Sequence, residues 1–282
     1  MEVDWALIYN ELELLAGDGQ RLPVRQWQPE FEPFKGVICL IHGMGEHSGR
    51  YYGVAEAMTA AGYVVLAHDQ RGHGRSEGKR GHADVKHLAD DAALLVALAE
   101  RLEPQLPRFL YGHSMGGNVA LSCVLRYKPD IQGLILTSPW LRLAFVPPAP
   151  KVWAGGVLAR LWPSFSMSTG LRNVAAASGA EEKLVDITDT LSHDRISARM
   201  YFSLHEEGEW ALAHSDRLDV PLFLAHGDGD YITSFHASRS LSEVLGERCC
   251  FVPVNCVHHE LHQTEQKEEL FSRIRDWLDK IR

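Results

Sequence analysis

An α/β fold, with a mostly parallel central sheet flanked by helices and a helical cap inserted in it, is what the sequence predicts, and three observations predict it. Short apolar, β-branched runs recur along the chain at Val37 to Ile41, Tyr63 to Ala67, Arg108 to Tyr111, Gly133 to Leu136, Pro221 to Ala225 and Cys249 to Val254. Segments with apolar residues three and four apart stand between them, as crossover helices require. After Pro139 the alternation stops, and it resumes only at Val220-Pro221.

The elements follow in order. Glu11 to Trp27 reads as two strands joined by the turn residues Ala16-Gly17-Asp18-Gly19, which puts an antiparallel edge on the sheet. Val85 to Leu102 and Met115 to Tyr127 have the spacing of helices packed on a sheet. From Trp140 to about Ser215 come Pro147-Pro148-Ala149-Pro150, then Lys151 to Trp162 with apolar residues on most faces, then a looser helical stretch. The expected division is therefore a first core part over 1–139, a cap over 140–215 and a second core part over 216–282.

Composition bounds the function. The chain has 282 residues, with 45% apolar and 23% charged, as in an ordinary globular protein with a core to bury. Its net charge of −9 provides no basic field for a nucleic-acid backbone or for anionic lipid, so any membrane contact must be hydrophobic. Met1 to Leu15 carries Glu2, Asp4, Glu11 and Glu13 and does not read as a secretory signal. No run approaches the roughly eighteen apolar residues of a spanning helix. Five cysteines, Cys39, Cys123, Cys249, Cys250 and Cys256, show no metal-ligand spacing, which favours reduced core thiols and a cytoplasmic setting, peripheral to a membrane at most.

The chemistry lies at strand ends. Gly112-His113-Ser114-Met115-Gly116 fits G-x-S-x-G between a strand run and a helical run, where a tight turn exposes a serine and flanking glycines let strand and helix approach. A serine hydroxyl needs a base for its proton and donors for the oxyanion that forms. His42-Gly43-Met44-Gly45 follows an earlier strand, so the amides of Met44 and Met115 are the expected donors. Beyond the last strand stand His258, His259 and His262. His259-Glu260-Leu261-His262 is one residue too short for H-E-x-x-H, so no metal is expected there. Either His259 or His258 can be the base. His226-Gly227-Asp228-Gly229-Asp230 offers two carboxylates for the orienting acid, Asp228 reading also as a turn residue.

With these blocks in hand the resemblance is specific. His42-Gly43-Met44-Gly45-Glu46-His47-Ser48-Gly49-Arg50-Tyr51 closely resembles the monoacylglycerol lipase and lysophospholipase group of the α/β hydrolases. Asp69-Gln70-Arg71-Gly72-His73-Gly74-Arg75-Ser76, Gly112 to Gly117, His226 to Asp230 and His259-Glu260-Leu261 match that group's blocks in its order, and His193 to Arg199 is similar to a segment of bacterial members. The resemblance implies an α/β-hydrolase fold and, without a cofactor, cleavage of a lipid ester such as monoacylglycerol. It selects Ser114, Asp230 and His259 as the triad, and implies that Glu46, Arg50, His113 and His262 line the polar end of the site. Asp69 and Arg71 read as structural. Met44 and His258 depart from the commoner forms, and the Met44 side chain is expected to bear on acyl length.

In the cap, Trp140, Phe145, Trp153 and Trp162 belong to an apolar series that implies an acyl channel inside and a lipid- or micelle-facing surface outside. Other readings use the same residues: a general carboxylesterase, peptidase or thioesterase, or a hydrolase-like binding protein without turnover. A serine at the elbow, where dehalogenases and epoxide hydrolases place aspartate, disfavours those two.

Overall fold

The computed structural model describes residues 7–171, 189–255 and 257–282. Eight strands form the main sheet: β1 (Leu7–Leu15), β2 (Arg21–Pro29), β3 (Gly36–Ile41), β4 (Tyr63–His68), β5 (Arg108–His113), β6 (Gly133–Thr137), β9 (Leu222–Gly227) and β10 (Cys249–Val254). Their order is β1-β2-β4-β3-β5-β6-β9-β10. The β1–β2 and β2–β4 pairs are antiparallel and every later pair is parallel, so the antiparallel edge falls on the expected hairpin.

The central strands are buried on both faces, which is why they read as continuous apolar runs. Along β3, Val37, Cys39 and Ile41 point to the face of the sheet covered by helices α2 (Val85–Leu102), α3 (Met115–Tyr127) and, farther along, α6 (Phe235–Leu245). Ile38 and Leu40 face the other way, toward α1 (Tyr52–Ala60) and α7 (Lys267–Ile281). Helix starts are capped where the sequence supplies an oxygen: Asp84 accepts from the amide of Lys86, and Ser234 from that of Ala237.

The insertion has two characters. Helix α4 (Ala149–Leu161) has no buried residue, because its apolar side chains surround it instead of forming one stripe. A small antiparallel pair, β7 (Ser166–Ser168) with β8 (Arg195–Ser197), follows it. Helix α5 (Ala198–Ala213) is seated on the body: Asn118 Nδ2 donates to the carbonyl of Leu204 at 3.0 Å, and Arg126 grips Glu207 through two bonds of 2.8 Å. The segment before α5 is clipped down by the His193 amide, which donates to the Gly45 carbonyl at 2.8 Å, and by the His47–Asp189 contact at 2.9 Å. Gly45 has φ +76°, and a Cβ there would stand 2.1 Å from the His193 carbonyl oxygen.

Asp69 and Arg71 do the structural work expected of them. Asp69 accepts from the amides of Ser48 at 2.8 Å and Arg75 at 2.9 Å, while Arg71 holds Asp91 in a two-bond fork. The cysteines depart in part from the expectation: Cys39 and Cys123 are buried free thiols, but Cys250 is exposed because β10 is the edge of the sheet. Cys256 and the first six residues lie outside the described residues. Among the described residues no helix is long and apolar enough to cross a membrane.

Several histidines are interior, and burial holds them neutral. His42 is pushed down to about 4, and His68 and His262 to about 3, from an ordinary value of 6.5. The unfolded chain therefore binds more protons than the folded one below about pH 6.5, and stability falls as pH falls through that window toward about 4. Urea midpoints should drop steadily between about pH 7 and about pH 5, with little change above that range.

Candidate active site

Ser114 follows β5 at the sheet centre with φ 54° and ψ −118°, a left-handed backbone that a non-glycine residue adopts only when its surroundings impose it. Here they do. The Ser114 amide donates to the Thr137 carbonyl at 3.0 Å, and its own carbonyl accepts from Trp140 at 2.8 Å. The turn can be this tight because Gly116 lies against β3: a Cβ on it would come within 2.1 Å of the Ile41 carbonyl oxygen.

The hydroxyl so presented lies 2.9 Å from Nε2 of His259, and Nδ1 of that ring lies 2.7 Å from Oδ2 of Asp230. All three residues are buried. Asp230 follows β9 and His259 follows β10, so three strand ends meet at the carboxyl edge of the sheet, as open α/β sheets arrange their sites. Burial would raise the Asp230 carboxyl, but the imidazoles of His259 and His226 outweigh it and hold it well below its ordinary range. Its Oδ1 accepts from the amides of Ile232 at 2.7 Å and Thr233 at 2.9 Å. The Thr233 hydroxyl donates to Oδ2 at 2.8 Å. Of the sequence alternatives, Asp228 is exposed in the turn, and His258 is held away by a bond from Nδ1 to the Gly229 carbonyl at 2.9 Å.

Met115 opens α3, where a helix leaves amides without an intrahelical acceptor, and Met44 stands in the loop after β3. The loop is braced from behind: the Gly43 amide donates to Glu46 Oε2 at 3.1 Å, and Gln70 donates its amide to Nε2 of His42 at 3.0 Å.

A cavity of about 230 Å³ opens over Ser114. Met44, Trp140, Phe145, Val152, Tyr201 and Phe202 give it apolar walls, and Glu46, His113 and Glu260 give it a polar end beside His259. Of the residues expected to line the site, Met44, Glu46, His113, Trp140 and Phe145 do so. Arg50 and His262 sit one layer back. Arg50 donates to Glu46 Oε1 at 3.0 Å, and His262 stacks on Tyr51 with ring centroids 4.6 Å apart. Trp153 and Trp162, expected among the substrate-binding residues, do not line the cavity: they are 75% and 56% exposed on the outside of the insertion, because the inward face of α4 is made by Val152 and Gly155.

The polar end is denser than the sequence suggested. Glu260 Oε2 lies 3.7 Å from His113 and 3.5 Å from His262. Burial would raise its carboxyl, but those imidazoles hold it well below the ordinary range, whereas burial and the charge of Glu260 push Glu46 up. Among the described residues, two trios bring ligand-type atoms within 4.8 Å of one another, His113 with His259 and Glu260, and Glu46 with Glu260 and His262. The first would consume the imidazole beside Ser114, and in the second Glu46 already carries a guanidinium, so neither donor set suits a cation. Thr233 and His226 were not read from sequence, although both flank the Asp230 turn and could have been found by asking what would satisfy a buried carboxylate.

Comparison with known proteins identifies relatives of the whole chain. A family model described as serine aminopeptidase, S33, matches residues 32–267. The monoglyceride lipase of Homo sapiens is 30% identical, over 96% of this chain and 91% of its own. An uncharacterized abhydrolase domain-containing protein of Dictyostelium discoideum is 33% identical over 94% of this chain, which spans 28% of that longer protein. The crystal structure of Paleococcus ferrophilus monoacylglycerol lipase superposes with a TM-score of 0.78 at 31% identity, covering 93% of this chain and 99% of that one. Matches of this extent make the chain a member of the serine aminopeptidase S33 family and, among the α/β hydrolases, of the monoacylglycerol lipase group.

Proposed function

We propose that the chain hydrolyses carboxylic esters of lipids, with monoacylglycerol as the substrate, releasing glycerol and a fatty acid through an acyl-enzyme on Ser114. The observation that carries the reading is the unbroken line from Ser114 Oγ to His259 to Asp230, opening into a cavity apolar on one side and polar on the other. His259 Nε2 takes the hydroxyl proton as Oγ attacks the ester carbon. The amides of Met44 and Met115 donate to the oxyanion. His259 then protonates the departing glycerol oxygen, and water, deprotonated by the same ring, releases the acid. Asp230 keeps the proton on Nδ1 and stabilises the imidazolium. The acyl chain lies along Met44, Trp140 and Phe145, and the glycerol end meets Glu46 and His113, with Arg50 and His262 supporting them from behind.

Ser114→Ala should abolish release of fatty acid from monoacylglycerol, and Asp230→Asn should lower kcat on the order of 10⁴-fold, measured by titrating the acid released. Wild-type rates in either variant would sink the assignment.

The leaving-group end carries two buried carboxylates, Glu46 and Glu260, against the one guanidinium of Arg50, so it favours an uncharged polyol over a phosphate. At matched acyl length, kcat/KM for lysophosphatidic acid should lie at least about tenfold below that for monoacylglycerol, and Glu260→Gln should narrow the ratio. Equal rates on the two substrates would favour a lysophospholipase.

The insertion exposes the large apolar side chains of Val146, Trp153, Leu161 and Trp162, which suit a bilayer or micelle surface. Replacing Trp153 and Trp162 by alanine should slow hydrolysis of aggregated long-chain monoester several-fold and leave a short soluble ester unaffected. Equal losses on both would count against interfacial docking.

A further inference from the structure

Asp230 faces a second imidazole besides that of His259. His226, the penultimate residue of β9, is fully buried, and its Nε2 lies 3.2 Å from Oδ2 of Asp230, 3.3 Å from the Thr233 carbonyl and 3.4 Å from the Thr233 hydroxyl. The carboxylate and the carbonyl can only accept, so Nε2 must carry a hydrogen and share it between them. Nδ1 lies 2.7 Å from the hydroxyl of Ser238 on α6, which donates to it and fixes that tautomer.

The bonds on the carboxylate are unevenly distributed. Both backbone amides reach Oδ1, from Ile232 and Thr233, and they act as a hinge. The swing of Oδ2 about that hinge is opposed by side chains alone: the Thr233 hydroxyl, His226 and, in productive geometry, His259 itself. A group whose role is to orient His259 cannot depend on His259 for its own orientation, so the other two side chains must supply it.

We propose that His226, set by Ser238, is a positioning residue that holds the Asp230 carboxylate in the orientation from which Oδ2 meets His259. The inference rests on the reading of Asp230 as the orienting acid. It extends the hydrogen-bonded line to five side chains, Ser114, His259, Asp230, His226 and Ser238, spanning from the cavity to the buried face of α6.

The test is steady-state hydrolysis of a short soluble ester, with thermal melts on each variant. His226→Leu removes the donor and should lower kcat about tenfold to a hundredfold with KM unchanged. His226→Gln keeps an N–H near the Nε2 position and should recover most of that loss, and it also covers the case in which the leucine variant fails to fold. Ser238→Ala should cost a smaller factor, restored by Ser238→Thr. In an Asp230→Asn background His226→Leu should cost nothing further, because it acts through that carboxylate. A glutamine variant as slow as the leucine one, or a full additive loss in the asparagine background, overturns the proposal. Unchanged kcat in Asp230→Asn alone would instead overturn the reading of the acid.

Discussion

The site depends on one strained turn. Ser114 is held at φ 54°, a conformation that costs on the order of 1–3 kcal/mol and survives only where neighbours over-determine it. They do so through main-chain bonds to Thr137 and Trp140 and through the contact of Gly116 with β3, so the two central strands and the start of the insertion all converge on a single residue. The hydroxyl is thereby presented to His259, and α3 begins at the next residue.

Around that turn the molecule manages charge by exclusion of water. Interior imidazoles such as those of His42, His68 and His262 stay neutral because burial penalises their cations, and a neutral ring can accept from an amide, as His42 does from that of Gln70. The carboxylates that keep their charge are the ones met by enough donors, as at Asp230, where amides, a hydroxyl and imidazoles outweigh the burial penalty. Glu46 and Glu260 sit close together and diverge, one pushed up and one held down, because their histidine and arginine neighbours are unequally shared.

Much of this was legible in the residues. Parallel strands buried on both faces leave continuous apolar runs, so the strand and helix positions could be read closely, and chemistry at the ends of strands needs local motifs, so Ser114 could be named and the acid and base narrowed to Asp228 or Asp230 and His258 or His259, between which the family resemblance chose. What could not be read is whatever depends on packing between distant stretches. Helix α4 is apolar all round, and periodicity then has no face to report, so the division between side chains that line the cavity and those that lie outward, as Trp153 and Trp162 do, was not legible. Strands β7 and β8 are three residues each, below the length at which alternation becomes a signal. The engagement of Arg50 with Glu46 and of His262 with Tyr51 sets them back from the cavity, a matter of one shell that spacing does not encode.

The clip between the insertion and the body meets the chain at an informative place. The carbonyl that receives the His193 amide belongs to Gly45, the immediate neighbour of Met44, whose N–H is assigned to the oxyanion. Roof and proposed anion cradle therefore share adjoining peptides, and lifting the segment that leads into α5 would break a main-chain bond beside a proposed oxyanion donor.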